Sequence, residues 1–218
     1  MKPYYDCDGI TIYHGDCREV LPTLPKCDLL LTDPPYGIDI VDSLIKATKS
    51  DTSMFNKSKT GRVSGEWDKQ PPSIDTLRIC LESCEARIVW GGNYFTNANL
   101  SPSRKWLIWD KMNGTNPMAD AELAWSDLPG SVRMFRMHHF SKGYDDKVHP
   151  TQKPLALMRW CLSFAPDAKT ILDPFMGSGT TLVAAKREGR KAVGIELEER
   201  YCEAAVKRLQ QSVFNFDS

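Results

Sequence analysis

The stretch Thr32-Asp33-Pro34-Pro35-Tyr36-Gly37, closing the apolar run Cys27-Asp28-Leu29-Leu30-Leu31, constrains the fold more than any other. A run that apolar, stopped by a proline pair, reads as a buried parallel strand ending abruptly at its carboxyl end. In open α/β sheets ligands bind at that end. The chemistry of the stretch suits an aromatic amine. The Asp33 carboxylate and the proline-fixed Pro34 carbonyl can both accept hydrogen bonds from one planar amino group, and Tyr36 offers a face for stacking. An Asp-Pro turn beside a core tyrosine would use the same residues, so the rest of the chain has to decide.

A second loop has ligand chemistry of its own. The strand Thr170 to Asp173 runs into Pro174-Phe175-Met176-Gly177-Ser178-Gly179, a helix follows to Glu188 and is closed by Gly189, and the strand Lys191 to Ile195 ends at Glu196. A glycine loop between strand and helix lets backbone approach a small molecule, and an acidic residue ending the next strand can hold ribose hydroxyls. The third glycine position of G-x-G-x-x-G holds Leu182, where Gly or Ala is needed for close helix–strand packing. A mononucleoside ligand therefore fits better than a dinucleotide. There is no G-x-x-x-x-G-K-[ST] sequence, which removes the phosphate-cradling nucleotide hydrolases.

Between these loops the elements alternate. Gly9 to Asp16 reads as a strand with a turn, Cys17 to Leu24 as a short helix, Ile74 to Leu81 as a helix with Ile74, Leu77 and Leu81 inward, and Ala86 to Trp90 and Lys105 to Trp109 as strands. Further strands are expected near Ala121 to Trp125 and Ser131 to Met137, then helices over Pro154 to Phe164 and Glu198 to Ser212. Residues 41–65 lose all periodicity and hold Lys46, Lys49, Lys57, Lys59 and Arg62 against Asp42 and Asp51. That composition suits a mobile basic flap over a polyanion, or a solvated linker. Residues 131–153 carry Arg133, Arg136, Lys142, Lys147 and Lys153 with Phe135, Phe140 and Tyr144 interleaved, a pattern for phosphate contact and base stacking or for a solvated hairpin.

With 218 residues, 41% of them hydrophobic, the chain can bury one core, and a single domain over 1–218 is expected. Lys+Arg and Asp+Glu balance at 28 each, so any positive surface is local. No segment approaches the ~18 apolar residues of a membrane span, and the expectation is a soluble, cytoplasmic protein with no membrane partner. Seven cysteines without paired spacing favour buried, reduced thiols over a metal site, and no metal is expected.

Taken together, Asp-Pro-Pro-Tyr at 33–36 and Asp-Pro-Phe-Met-Gly-Ser-Gly-Thr-Thr at 173–181 resemble the motifs of S-adenosylmethionine-dependent amino-group DNA methyltransferases. His14-Gly15-Asp16-Cys17 and His149-Pro150-Thr151-Gln152-Lys153-Pro154 agree with this, and the catalytic motif preceding the cofactor motif is similar to the circularly permuted beta group. The resemblance implies an α/β, Rossmann-like, doubly wound and mostly parallel sheet of the class I methyltransferase type, with a small target-recognition insertion over about 110–148. It implies that Asp33, Pro34, Pro35 and Tyr36 form the catalytic motif. Phe175, Gly177 and Gly179 would line the methionine part of S-adenosyl-L-methionine, Glu196 its ribose and Asp16 its adenine edge. Asp173 and Thr180 belong to the same cofactor motif, and Thr151 and Lys153 would lie near the cofactor carboxylate.

Double-stranded DNA is the implied substrate, with Lys57, Lys59, Arg62, Arg133, Arg136 and Lys142 as its candidate contacts. A homodimer and a separately encoded restriction endonuclease are candidate partners. Adenine N6 is the expected acceptor, because the family's cytosine-N4 members more often carry Ser where Asp33 stands. Cytosine N4 and a catalytically inactive DNA-binding relative are the alternatives. Carbon-5 methylation would need the Pro-Cys pair of that other family, which this chain lacks.

Overall fold

The computed structural model describes residues 1–37, 70–98, 100–114, 119–138 and 152–211. Its strands are β1 (Tyr5–Cys7), β2 (Ile10–His14), β3 (Cys27–Thr32), β4 (Cys84–Trp90), β5 (Lys105–Asp110), β6 (Ala121–Ser126), β7 (Arg133–Arg136), β8 (Thr170–Asp173) and β9 (Lys191–Glu196). Its α-helices are α1 (Cys17–Val20), α2 (Ile74–Glu82), α3 (Leu155–Leu162), α4 (Thr180–Arg187) and α5 (Glu199–Gln211). The strands form one sheet in the order β1-β2-β9-β8-β3-β4-β6-β5-β7. The central strands β2, β9, β8, β3 and β4 run parallel to one another, whereas β1 joins β2, and β6 joins both β4 and β5, antiparallel. This is the mostly parallel α/β architecture expected.

Burial explains why β3 sits in the middle. Successive strand residues point to opposite faces, yet Leu29, Leu30 and Leu31 are all at most 1% exposed, so the sheet is covered on both sides there. Helices α3, α4 and α5 pack in succession on one another, and α1 packs on α2. Thr180 to Ala185 of α4 are buried without a break, as befits a helix enclosed all round. Six of the seven cysteines are buried free thiols, Cys7 alone being exposed.

From β3 the sheet grows toward β4, and from β8 toward β9, in opposite directions. The crevice outside the carboxyl ends of β3 and β8 is therefore the topological switch point, where such sheets bind ligands.

Local chemistry accounts for several departures from the sequence pattern. Asp8 at φ 52 and Gly9 at φ 76 form the left-handed pair of a tight Asp-Gly hairpin, which adds β1 to the edge of β2. The helix expected over Cys17 to Leu24 stays α-helical only to Val20 and tightens into a 3₁₀ turn at Leu21–Thr23, where Pro22 offers no N–H to an α-helical ladder. Ile74 opens α2 but is exposed; Thr76, Leu77 and Cys80 supply its buried face.

The chain divides into two compact units, Met1–Pro34 with Ile74–Ser218, and Pro35–Ser73. The basic stretch 41–65 lies outside the described residues. Within the second unit Gly37, at φ +71, approaches Pro71 so closely that a Cβ would stand 2.4 Å from the proline Cδ; this brings the two described ends of that unit together.

Asp28 ties β3 to the start of β8. Its Oδ2 accepts from the backbone N–H groups of Lys169 and Thr170, both at 2.8 Å, and from the Thr170 hydroxyl at 2.9 Å, and its own N–H donates to that hydroxyl. The Thr170 amide, the Thr170 hydroxyl and the Lys169 amide hold the Asp28 carboxyl below its ordinary range. Asp28→Ala should cost about 1–3 kcal/mol at neutral pH, because two backbone donors lose their acceptor. The stabilisation is present above the ordinary aspartate range and is lost as the folded-state carboxyl protonates. In urea titrations the gap between wild type and variant should therefore narrow only in strong acid.

Candidate active site

Four carboxylates line the carboxyl end of the parallel strands: Asp16 after β2, Glu196 at the end of β9, Asp173 at the end of β8 and Asp33 after β3. Asp16 caps α1, accepting from the Arg18 N–H at 2.9 Å, and pairs with the Arg18 guanidinium at 2.5 Å. The Arg18 side chain holds the Asp16 carboxyl below its usual range despite some burial. Gly15 N–H donates to the Glu196 carbonyl at 2.9 Å, joining the ends of β2 and β9. Asp16 thus performs the capping role its position suggests, next to the glycine-loop acid.

The glycine loop is built around two carboxylates. Glu196 Oε2 accepts from Gly177 N–H at 3.0 Å and Oε1 from Glu198 N–H at 2.9 Å. Burial nevertheless pushes the Glu196 carboxyl up, against these amides. Asp173 is buried and accepts from the Thr32 hydroxyl at 2.7 Å and from Phe175 N–H at 3.2 Å. It is pushed up to about 6, chiefly by desolvation, while the Thr181 and Thr32 hydroxyls and the Phe175 amide work in the other direction. Asp173 therefore organises both loops from below.

Each glycine of the motif has a distinct cause. Gly177 at φ 51 and Gly179 at φ 77 are left-handed turns that a side chain would strain. At Gly179 a Cβ would also stand 2.7 Å from the Ala205 Cβ, because α5 presses on the loop. The absent third glycine is replaced from the opposite side: Leu182 is fully buried, and a Cβ on Gly194 of β9 would lie 2.8 Å from Leu182 Cδ2 and 2.4 Å from Met176 Sδ. The small residue that close helix–strand packing needs is on the strand.

Several residues of the site escaped the sequence pattern. Arg208 of α5, 8% exposed, donates through Nη1 to the Ser178 carbonyl at 2.7 Å and to the hydroxyls of Ser178 and Thr180 at 3.2 and 3.1 Å. Its spacing from Tyr201, Ala205 and Leu209 marks an arginine on the apolar face of a helix, the one signal that could have found it. Gln152, also buried, accepts from the Ser178 hydroxyl at 3.0 Å.

Lys153 stands against Asp33. Its ammonium lies 2.5 Å from Asp33 Oδ2 and 2.9 Å from Glu122 Oε2, with the Trp90 ring centroid at 5.8 Å. Burial would lower the Lys153 ammonium, but Asp33 and Glu122 outweigh it and raise the group above the ordinary lysine range. Glu122 is bridged in turn to Lys111 at 2.5 Å. Burial would raise the Glu122 carboxyl, yet Lys153 and Lys111 prevail and hold it at about 2. Glu122 reaches this place because β6 runs antiparallel to β4, which puts the start of β6 at the carboxyl end of the parallel strands.

The remaining candidates are dispersed. Arg133 and Arg136 are exposed on the edge strand β7; Arg136 pairs with Asp110 at 3.2 Å and Arg133 Nη1 donates to the Ser131 hydroxyl at 2.9 Å. Because β7 runs parallel to β5, and β5 runs antiparallel to β6, Arg136 lies toward the Asp33 end of the sheet and Arg133 toward the other. Tyr36 and Pro35 begin the second unit. Lys57, Lys59, Arg62, Lys142 and Thr151 lie outside the described residues. Among the described residues no His, Cys, Asp and Glu cluster could hold a metal ion, and no helix is long and apolar enough to cross a membrane.

A doubly wound sheet with a glycine loop and Asp33 at its switch point is Rossmann-like, and comparison with known proteins makes the class specific. A family model described as DNA methylase, N6_N4_Mtase, matches residues 41–207, and the chain belongs to that family of amino-group DNA methyltransferases. It is 28% identical to type II methyltransferase M.ScaI of Streptomyces caespitosus, across 98% of this chain and 86% of the relative. It is also 28% identical to type II methyltransferase M.HinfI of Haemophilus influenzae, across 92% and 68%. Among solved structures, the PvuII DNA methyltransferase, described as cytosine-N4-specific, superposes with a TM-score of 0.63 at 16% identity, covering 100% of this chain and 91% of the other. The M1.HpyAVI–SAM complex gives 0.59 at 22% identity, covering 92% and 99%.

Two outcomes follow from the loop geometry. Because Asp173 is raised from 3.8 to about 6 by folding, the folded chain binds more protons than the unfolded one between these values. Stability should therefore fall as pH rises through that window, on the order of 3 kcal/mol in all. Asp173→Asn keeps an acceptor without a charge, and its stability relative to wild type should rise by that amount from pH 4 to 6 in denaturant titrations. Gly179→Ala combines a strained φ with a collision at Ala205 and should cost about 2–4 kcal/mol in the same measurement.

Proposed function

We propose that this chain transfers the methyl group of S-adenosyl-L-methionine to the exocyclic N6 of an adenine flipped out of double-stranded DNA at a specific sequence. The observation that carries the reading is the place of Asp33, at the switch point and joined through Thr32 and Asp173 to the glycine loop. The likeness to two type II methyltransferases supports a site-specific enzyme that works alongside a separate restriction endonuclease.

The residues present fit a nucleoside sulfonium donor. Glu196 is a carboxylate that accepts from the backbone amides of Gly177 and Glu198, so its remaining lone pairs suit the neutral O–H donors of a ribose. Phe175, Gly177 and Gly179 would take the donor's amino-acid part and Asp16 its base edge. When bound, the donor supplies an electrophilic methyl on sulfur.

The chain's own task is the amine. Its lone pair is delocalised into the purine ring, which makes it a weak nucleophile. The Asp33 carboxylate and the Pro34 carbonyl would accept its two hydrogens and favour a pyramidal nitrogen with its lone pair aimed at the methyl carbon. A carboxylate offers about four acceptor sites, so the Lys153 ammonium on Oδ2 does not exhaust Asp33. Positioning and fixed charge then carry the rate. The atom is out of reach inside a duplex, so the base must be extruded at a cost of a few kcal/mol, which stacking on Tyr36 would offset. Asp33 at the first motif position supports adenine over cytosine.

Asp33→Ala should lower kcat by about 10²-fold or more, the scale of losing one transition-state partner, with donor affinity in calorimetry retained. Nucleoside mass spectrometry of methylated DNA should show N6-methyladenine. An unchanged kcat would refute the acceptor role of Asp33, and N4-methylcytosine as the product would refute the choice of base.

A further inference from the structure

We propose that Glu122 is a positioning residue of the transfer site, sharing the Lys153 ammonium with Asp33 and so setting how tightly that ammonium holds the Asp33 carboxylate. The proposal rests on the reading of Asp33 as acceptor of the target amine.

The geometry is a chain of four charges, Lys111–Glu122–Lys153–Asp33, linked at 2.5, 2.9 and 2.5 Å. The Lys153 side chain is 5% exposed and that of Lys111 13%. Two acids and two bases make the set neutral. Burying such a set is seldom the most stabilising solution, since apolar residues of similar volume often do as well. Charges kept in such a place, with one of them on the acceptor carboxylate, point to a functional reason.

That reason follows from competition at Asp33. The carboxylate must attract the hydrogens of a weak neutral donor while a buried ammonium sits on its Oδ2. Held by Asp33 alone, the ammonium would centre on that carboxylate and draw off its acceptor strength. Glu122 draws on the same ammonium, at 2.9 Å against 2.5 Å for Asp33, so Asp33 keeps negative charge to offer. Lys111 keeps Glu122 ionised for this role, and the Trp90 ring lies near the ammonium, its centroid 5.8 Å away.

The test is steady-state methyl transfer to duplex DNA, with donor affinity read separately by calorimetry. Glu122→Gln keeps the shape and removes the charge. Its kcat should fall about tenfold or more, a loss equivalent to one pKa unit of interaction, while the donor Kd stays within about twofold. Glu122→Asp, which restores the charge, should recover part of the loss. Adding Lys153→Met to Glu122→Gln should recover kcat relative to Glu122→Gln alone, since the surplus ammonium is gone. A wild-type kcat in Glu122→Gln would overturn the proposal. A loss of donor affinity that accounts for the whole fall in activity would overturn it too, by assigning the network to the cofactor. If Glu122→Gln does not fold, Glu122→Asp decides: a lowered kcat at unchanged donor Kd supports the role, and full activity overturns it. Asp33→Ala in the same assay separates the two layers. If that variant stays active, the acceptor assignment itself is wrong; if it is inactive while Glu122→Gln is fully active, only the role of Glu122 is wrong.

Discussion

The Asp173 carboxylate holds this site together. One buried acid accepts from the Thr32 hydroxyl, beside the Asp-Pro-Pro-Tyr loop, and from the Phe175 amide, inside the glycine loop. The hydrogen-bonded pair of β8 and β3 makes that possible, since parallel neighbours end on the same side and the chain leaves them in opposite directions. The arrangement ties the end of β3 to the glycine loop through a single hydrogen-bonded carboxylate. The cost is electrostatic, because a buried carboxylate with hydroxyls and an amide for partners is harder to ionise than one in water.

Much of this was legible in the sequence. The apolar run before Asp33, the Gly-x-Gly after Asp173 and the acid at 196 are local signals, each produced by a local physical need: burial on both faces, left-handed φ, and an acid at a strand's end. Such signals survive without knowledge of the partner. The order of the two loops along the chain was equally plain.

The parts that stayed hidden depend on partners distant in sequence. Leu182 looked wrong for close helix packing until Gly194 proved to be facing it, which transfers the requirement from helix to strand. Arg208 reads as a surface residue of a charged helix, yet it caps the Ser178 carbonyl from inside. Lys153 and Glu122 are separated by a connection and a change of strand direction, and neither stands in a periodic pattern that would pair them. Asp28 showed nothing beyond an interruption in an apolar run. In each case one half of an interaction was visible and the other half was not.

The reversed direction of β6 has a wider implication. Parallel strands present only their carboxyl ends to a ligand, so every residue they offer comes just before or within a crossover loop. An antiparallel strand among them offers its beginning, and the end of β5 at Asp110 and the start of β6 at Ala121 therefore lie on the same side of the sheet as Asp33. A hairpin there can be lengthened or exchanged without shifting any strand register, because its two ends are already anchored side by side. The rim beside Asp33 is thus the place where a relative could gain a new DNA contact while the strands beneath it stayed untouched.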